Sequence, residues 1–454
     1  MGAQRSRPLP IRRYLGDHRG RGTRQGCAVV CHPARAQRHR VSVRTSRLVD
    51  RWARARSDVL LATVVVSTFI ATYSSVVRFR PLFAPDTSYY GAMALWFGGE
   101  SQQGAVRQVI ERRLQSGWST PPLLIERLFG WGLVQPRVVL PALSVPFVKI
   151  WGIDGLVVVP ALALAALIGV LTWMLARRWG RLPAVATVVL VMCSWRIMFY
   201  GGAMLTESLS ALWGALILVA AWQYQRRGGW PPVAGMVLLT ILSGFTRQAS
   251  LIPAAAFLAA WLVAILLRSR PNGWGVPALA VTVTSLTVQL LQNRLFPTFS
   301  QLQQVNQFQA NTKTGSLGGA LGGAPKLAAH ILKHDLHTTA QSDPALLILI
   351  TLATVSVVVF WRRSESHLLL GALAGIAVYN VATGTPVAFR YAMPGLVFFA
   401  TSVALLIART DLRHGRPGED RSPAGYSEAG GREIPVTEVR DWLPTPADDK
   451  ILVP

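Results

Sequence analysis

Residues 58–77 read DVLLATVVVSTFIATYSSVV, an apolar run whose only charged residue, Asp58, stands at its start. A helix of about 20 such residues, rising about 1.5 Å per residue, spans the roughly 30 Å hydrocarbon core of a bilayer. Further apolar runs follow at approximately 155–176, 183–199, 205–224, 232–246, 249–267, 274–292, 344–361, 367–384 and 389–408. The sequence therefore predicts an all-α, polytopic membrane protein with about ten transmembrane helices.

The composition of the chain fits a membrane protein better than a soluble one. Of 454 residues, 51% are hydrophobic and 15% are charged, against about 25% charged in soluble domains. The formal net charge is +25, and most of the excess is arginine. A strongly basic chain raises the question of nucleic acid, but arginine also gathers at the cytoplasmic ends of membrane helices. We therefore predict membrane lipids as partners and no nucleic acid.

Arginines in the short turns between runs predict the orientation. If the first run leaves the cytoplasm, the outer turns contain one arginine each: Arg196, Arg247 and Arg390. The inner turns contain more: Arg177, Arg178, Arg181, Arg226, Arg227, Arg268, Arg270, Arg362 and Arg363. Arginine favours the cytoplasmic side of short loops. The sequence thus predicts a multi-pass protein of a bacterial plasma membrane with both termini in the cytoplasm.

Three regions follow from this pattern. Residues 1–57 form a basic arm with 15 Arg and two acids, which we expect to be disordered and cytoplasmic. The alternative is that an upstream start codon was chosen for this sequence and that the arm has little function. Residues 58–408 form the membrane domain, with outer loops 78–154 and 293–343 and short interfacial helices in the first loop. Residues 409–454 are predicted to be a disordered cytoplasmic tail.

No metal site is predicted. Cys27, Cys31 and His32 are too few for a closed zinc site, which usually has four ligands. The residues His330, His334 and His337 are spaced for one helix face, which is compatible with binding metal or sugar, but the spacing favours a solvated helix in the loop.

The polar residues capable of chemistry lie at predicted outer ends of the runs. They occur in four segments: FAPDTSYY at 83–90, TES at 206–208, GFTRQ at 244–248 and GTPVAFRY at 384–391. Asp86 is ionised at neutral pH and can accept a proton from an attacking hydroxyl. The alternative is that Asp86 only caps the following helix. Glu207 is a candidate to assist Asp86 or to orient a substrate, and the alternative is a first-turn acid favoured by the helix dipole.

The arginines and tyrosines of these segments are candidate binding residues. Arg390 and Arg247 can hold phosphate oxygens through bidentate guanidinium contacts, or can simply extend to lipid headgroups from helix ends. Tyr89, Tyr90 and Tyr391 can stack on a sugar, although aromatic residues are common at membrane interfaces in any case.

Together these segments resemble membrane glycosyltransferases of the C fold type, which include the protein O-mannosyltransferase-like and aminoarabinose-transferase-like families. The resemblance covers about residues 58–408. It rests on short motifs in matching order: Pro85-Asp86-Thr-Ser-Tyr-Tyr90, Pro141-Ala-Leu with Lys149-Ile-Trp-Gly152, Leu205-Thr-Glu-Ser-Leu209, Gly244-Phe-Thr-Arg247 and Arg390-Tyr391-Ala-Met-Pro394.

The resemblance implies inverting transfer of a sugar from a polyprenyl-phosphate carrier to an acceptor hydroxyl at the outer face of the membrane. Asp86 would be the base, and Arg390 would lie near the donor phosphate. Mannose or arabinose is the expected sugar, with a glycan, lipid or protein of the cell envelope as acceptor. Many relatives have a second acid beside the first, whereas this chain has Thr87. No cofactor is therefore assigned, and a divalent cation stays an open alternative.

Two other functions compete with sugar transfer. A flippase for lipid-linked sugars, or a transporter, would also suit a polytopic protein with a basic outer groove. Transporters usually place ionisable groups near the middle of the membrane, and the predicted runs have almost none there. A non-catalytic membrane protein of envelope assembly is the remaining alternative.

Overall fold

The computed structural model describes residues 34–120, 128–130, 132, 134–267, 273–296, 301–387 and 389–414. These residues form helices and no strand. The chain divides into two units, Met1–Ala62 and Thr63–Pro454. The described part of the first unit is helical, and the contacts below belong to the second. The long helices are α1 (Ala34–Phe79), α5 (Val158–Trp179), α8 (Glu207–Arg227), α9 (Trp230–Thr246), α10 (Leu251–Leu266), α11 (Gly275–Leu295), α13 (Leu317–Ser342), α14 (Pro344–Val359), α15 (Ser364–Thr383) and α16 (Leu396–His414).

Shorter helices connect them. The first connecting segment contains α2 (Thr87–Phe97), α3 (Gln102–Gln115) and α4 (Val139–Trp151). The remaining short helices are α6 (Arg181–Cys193), α7 (Trp195–Gly202) and α12 (Gln301–Asn311). The short helices expected in the first outer loop are thus present as α2 and α3.

Several helices can cross a membrane. Within the described residues, six are long and apolar enough, or seven if the bent pair α6 and α7 is one span. The six are Arg56–Phe79 at the end of α1, Val139–Trp179, Gln248–Leu266, Gly275–Leu295, Ser364–Thr383 and Arg390–Thr410. The range Val139–Trp179 joins α4 to α5 through the short 3₁₀ helix Gly152–Val157. Large apolar side chains lie exposed on them and on neighbouring helices, such as Leu266 (79%) and Leu290 (61%). Such surfaces are expected to face lipid, so the chain is an all-α membrane protein.

The predicted runs coincide with helices, but three details differ. Helix α1 begins at Ala34, so residues 34–57 are helical although we expected no regular structure there; residues 1–33 and 415–454 lie outside the described residues. The run at 183–199 is broken, since α6 and α7 meet at an angle of 76°. The segment 293–343, expected to be a polar loop, contains the 26-residue helix α13.

Local capping explains the break between α6 and α7. The Ser194 side chain accepts a hydrogen bond from the Ile197 N–H (3.2 Å), which caps α7. The same hydroxyl donates to Asp343 Oδ2 at 2.7 Å. Asp343 in turn caps α14 by accepting from the Leu346 N–H at 3.0 Å. One serine therefore ends a hydrophobic run and fixes the bend to the start of α14.

The tightest described helix pair is α10 against α15. Helix α15 contains Gly371-Ala-Leu-Ala-Gly375, the small-xxx-small pattern that lets membrane helices approach closely. A Cβ added at Gly371 would lie 2.3 Å from the carbonyl oxygen of Ala255, and one at Gly375 would lie 3.0 Å from the Cα of Ile252. This close approach positions the ends of α10 and α15 beside each other.

Candidate functional site

Four charged residues distant in sequence meet at one end of the helices. Arg390 Nη2 donates to Asp86 Oδ2 at 2.6 Å, and Arg390 Nε donates to Glu207 Oε1. Arg247 Nη1 donates to the same Glu207 oxygen at 2.5 Å. We call Asp86, Glu207, Arg247 and Arg390 the ion-pair cluster. Two arginines thus share two carboxylates in a continuous chain of charge-assisted hydrogen bonds.

Asp86 enters the cluster from the turn that precedes α2. It occupies the N-cap position of that helix, but its side chain makes no capping hydrogen bond. Thr87 fixes the turn instead: its hydroxyl accepts from the Ala84 N–H at 2.9 Å and donates to the Met204 carbonyl at 3.1 Å. The structure therefore leaves the Asp86 carboxylate to Arg390, and helix capping does not explain its position.

Glu207 is the buried centre of the cluster. It is the first residue of α8, and its side chain is 0% exposed. Its Oε1 accepts from both arginines, while its Oε2 is buried and has no hydrogen-bond partner among the described residues. A buried carboxylate is strongly disfavoured unless it is paired. Glu207 therefore acts mainly to hold the two guanidinium groups in place.

Arg390 stands in a strained turn. It begins the 3₁₀ helix Arg390–Gly395, and the preceding Phe389 has φ of 63°, a left-handed conformation uncommon for a residue with a side chain. The Phe389 N–H donates to Asp335 Oδ2 on α13 at 3.3 Å. Helix α13 thereby supports the turn that presents Arg390 to the two acids.

Tyrosines surround the arginines. The Tyr379 hydroxyl accepts from Arg247 Nε at 3.2 Å, and the ring of Tyr391 lies 4.7 Å from the Arg247 guanidinium carbon. The two rings meet edge to face at 5.3 Å. Arg390 also lies 5.9 Å from the ring of Tyr200. Cation–π contacts of this kind stabilise buried arginines.

Exposure and charge distinguish the two carboxylates. The Asp86 side chain is 27% exposed, whereas that of Glu207 is fully buried. Burial of the Asp86 carboxyl raises its pKa, while the charge of Arg390 lowers it. The charges of Arg137 and Arg247 and the hydrogen bond from Arg390 also lower it, and the pKa of Asp86 lies below its ordinary value. Asp86 is thus the ionised acid that a substrate can reach.

Most of the predicted site residues come together. Asp86, Glu207, Arg247, Arg390 and Tyr391 are joined through a chain of contacts in which the two arginines link the two carboxylates and the Tyr391 ring. Tyr90 is fully buried on α2, and its hydroxyl accepts from Arg137 Nη1 at 3.0 Å. The neighbouring Tyr89 is also buried, so neither ring offers an open surface for stacking on a sugar in this structure.

Sequence reasoning missed three members of this site. Tyr379 lies within an apolar run that predicted only a membrane span, and Tyr200 lies just after the break that went unrecognised. Arg137 was one of several arginines in a long polar segment. A polar hydroxyl near the end of an apolar run was the only available signal for the tyrosines.

An apolar groove shares helix α15 with the site. It has a volume of about 620 Å³ and is lined by residues of α10, α11, α12, α13 and α15: Leu251, Leu286, Phe308, Leu321, Val378 and Val381, among others. Helix α15 contributes both to this groove and, through Tyr379, to the contacts of Arg247.

Neither a model of a known protein family nor any curated protein matches this chain. Among the residues that the structure describes, no group of three or more His, Cys, Asp or Glu side chains is placed to hold a metal ion. The function must therefore be argued from the geometry of the ion-pair cluster.

Proposed function

We propose that the protein transfers a sugar from a polyprenyl-phosphate carrier to an acceptor hydroxyl at the outer face of a bacterial plasma membrane. The observation that carries the proposal is an exposed, ionised carboxylate held beside a guanidinium group: Asp86, 27% exposed, at 2.6 Å from Arg390. General-base catalysis needs the first group, and an anionic leaving group needs the second. The resemblance to C-type membrane glycosyltransferases, given above, points to the same chemistry.

In the proposed step, the acceptor oxygen attacks the anomeric carbon and a new carbon–oxygen bond forms. The bond from that carbon to the phosphate oxygen breaks, and its electron pair leaves with the lipid phosphate. The acceptor proton passes to the Asp86 carboxylate. Attack opposite to the leaving group inverts the configuration at the anomeric carbon.

The contact between Asp86 and Arg390 also makes the base strength of Asp86 depend on whether the donor is bound. Without substrate, Arg390 keeps the pKa of Asp86 low and so makes it a weak base. A phosphate anion bound beside the cluster would offset the positive charge of the cluster's arginines and so raise the pKa of Asp86. The base would then become stronger when the donor is bound.

The surroundings of the cluster suit a lipid donor. A hydrocarbon chain can lie in the apolar groove of about 620 Å³ while its phosphate enters the polar site.

We further propose ten spans, with α8, α9, α14 and the bent pair α6 and α7 completing the set. Helices α9 and α14 have 17 and 16 residues, which is short for a span and requires local thinning of the bilayer or extension by flanking turns.

The test is sugar transfer by purified protein in lipid vesicles, with polyprenyl-phosphate mannose or arabinose labelled in the sugar. Wild-type protein should form a new glycoside with envelope extract as the acceptor source, and Asp86→Asn should abolish it. Asp154→Asn is the matched control, because Asp154 lies in the same connecting segment and is paired with Arg112 at 2.8 Å but is 56% exposed. This variant should retain activity.

Three results would overturn the proposal. Normal transfer by Asp86→Asn would remove Asp86 from the mechanism. Equal loss in both variants would indicate damage to the segment rather than loss of a base. Movement of labelled lipid across the vesicle membrane without any glycoside would identify a flippase.

A further inference from the structure

The charges around the cluster do not balance. Arg137, beside Tyr90, is 9% exposed, and Arg113, whose Nη1 donates to the Ser88 hydroxyl at 3.0 Å, is 6% exposed. With Arg247 and Arg390 they make four guanidinium groups against the two carboxylates of the cluster, Asp86 and Glu207. A buried positive charge without a partner is costly, so this excess of positive charge among the described residues favours an anion in the same place.

The contacts show which arginine is available to that anion. Arg390 is engaged by both carboxylates, through Nη2 and Nε. Arg247 is engaged by Glu207 and by the Tyr379 hydroxyl. Arg137 Nη1 donates to the neutral Tyr90 hydroxyl, and its Nε is buried with no partner among the described residues. Arg113 donates through Nε to the Ser119 carbonyl and through Nη1 to the Pro85 carbonyl and the Ser88 hydroxyl. Of these arginines, Arg137 is therefore the one that has neither a carboxylate partner nor a hydrogen-bond partner for its buried Nε among the described residues.

Position and burial agree with a binding role. Arg137 is 9% exposed, and it contacts Tyr90 in the first turn of α2, the helix that Asp86 precedes. Its charge also contributes to the low pKa of Asp86. Its backbone N–H donates to the Val134 carbonyl at 2.8 Å, which fixes the turn before α4. A guanidinium held in this way is preorganised for a tetrahedral anion with several acceptor oxygens.

We propose that Arg137 is the residue that binds the phosphate of the lipid carrier, with Arg390 serving mainly to hold Asp86 and Glu207. This assignment rests on the proposed function for the identity of the phosphate. It reverses the expectation from sequence, which gave that role to Arg390. Phosphate binding would supply the missing negative charge and satisfy the donor that the protein leaves without a partner.

The experiment measures binding of a polyprenyl phosphate without sugar, and of the corresponding neutral polyprenol, to protein in nanodiscs by native mass spectrometry. Wild-type protein should prefer the phosphate. Arg137→Gln should weaken phosphate binding at least about tenfold, the effect of losing one hydrogen bond to a charged group, while polyprenol binding stays constant. Retained polyprenol binding also shows that the variant is folded.

Two further variants sharpen the comparison. Arg137→Lys keeps the charge but loses the planar donor pair, so it should restore part of the preference for phosphate. Arg112→Gln is the matched control, because Arg112 lies in the same connecting segment, is 32% exposed and is paired with Asp154. It should bind both lipids as the wild type does.

The outcomes separate this inference from the proposed function. Equal phosphate affinity of wild type and Arg137→Gln would overturn the inference, even if wild-type protein transfers sugar. Loss of phosphate binding in Arg137→Gln, in a protein that forms no glycoside, would support the inference and refute the proposed function. A wild-type protein that does not distinguish phosphate from alcohol would overturn the inference, while the sugar-transfer assay would still decide the proposed function.

Discussion

Replacing Glu207 by Gln tests whether one buried carboxylate holds the site together. Glutamine has nearly the same shape, so the substitution removes the charge and leaves the packing of α8 unchanged. Arg390 would keep its contact with Asp86 at 2.6 Å. Arg247, whose side chain is 1% exposed, would keep the Tyr379 hydroxyl, the nearby aromatic rings and a hydrogen bond to a neutral amide oxygen in place of the carboxylate. The substitution therefore leaves one buried guanidinium group without a carboxylate.

The contacts set the size of the effect. Glu207 accepts two charged hydrogen bonds, one from Arg247 and one from Arg390, and each such bond contributes about 1.5–3 kcal/mol. Breaking a buried ion pair by removing one partner costs about 3–5 kcal/mol, because the other charge remains buried. We therefore expect Glu207→Gln to lower the free energy of unfolding by about 3–5 kcal/mol.

Equilibrium unfolding in mixed detergent micelles, followed by tryptophan fluorescence, would measure this change. Glu365→Gln is the matched control: Glu365 is 8% exposed and is paired with Arg178 at 2.6 Å, but Arg178 is 28% exposed and can turn to water. Its loss should be clearly smaller. An equal loss in the two variants would refute the reasoning, since burial of the remaining arginine would then not determine the cost.

Two further predictions concern pH and helix packing. Because the pKa of Asp86 is lowered, Asp86 should stay ionised down to a pH below the ordinary aspartate value of about 3.9. The value of kcat/KM for sugar transfer should therefore show no loss with a midpoint above about pH 5 when the pH is lowered. A loss with a higher midpoint would contradict this. Gly371→Ala places a Cβ 2.3 Å from the Ala255 carbonyl oxygen and should destabilise the protein by about 1–3 kcal/mol in the same unfolding assay. Gly169→Ala is the control, because a Cβ there meets nothing within 4 Å, and it should not destabilise the protein. Equal stability of the two variants would exclude the close α10–α15 contact.

The sequence predicted where the apolar helices lie because hydrophobic periodicity and run length are local properties, although only six or seven of the ten predicted spans are long and apolar enough to cross a membrane among the described residues. The run at 58–77 coincides with the end of α1, and the runs at 249–267 and 367–384 coincide with α10 and α15. Asp86, Glu207 and Arg390 were predicted to meet because polar residues at the same end of alternating helices must share a face. The break at Ser194 was not predictable in this way, since it depends on Asp343, which lies 149 residues further along the chain.

The partners of each charged side chain depend on three-dimensional contacts that no local pattern contains. From the sequence we expected phosphate at Arg390, yet in the folded chain its Nη2 and Nε donate to two carboxylates. A guanidinium group already neutralised by carboxylates attracts an additional anion less strongly than one that is not. Arg137, which no motif marked, lacks a carboxylate partner among the described residues and has an unbonded Nε. The proposal that Arg137 binds the carrier phosphate therefore depends on a difference in partners that only the folded chain contains.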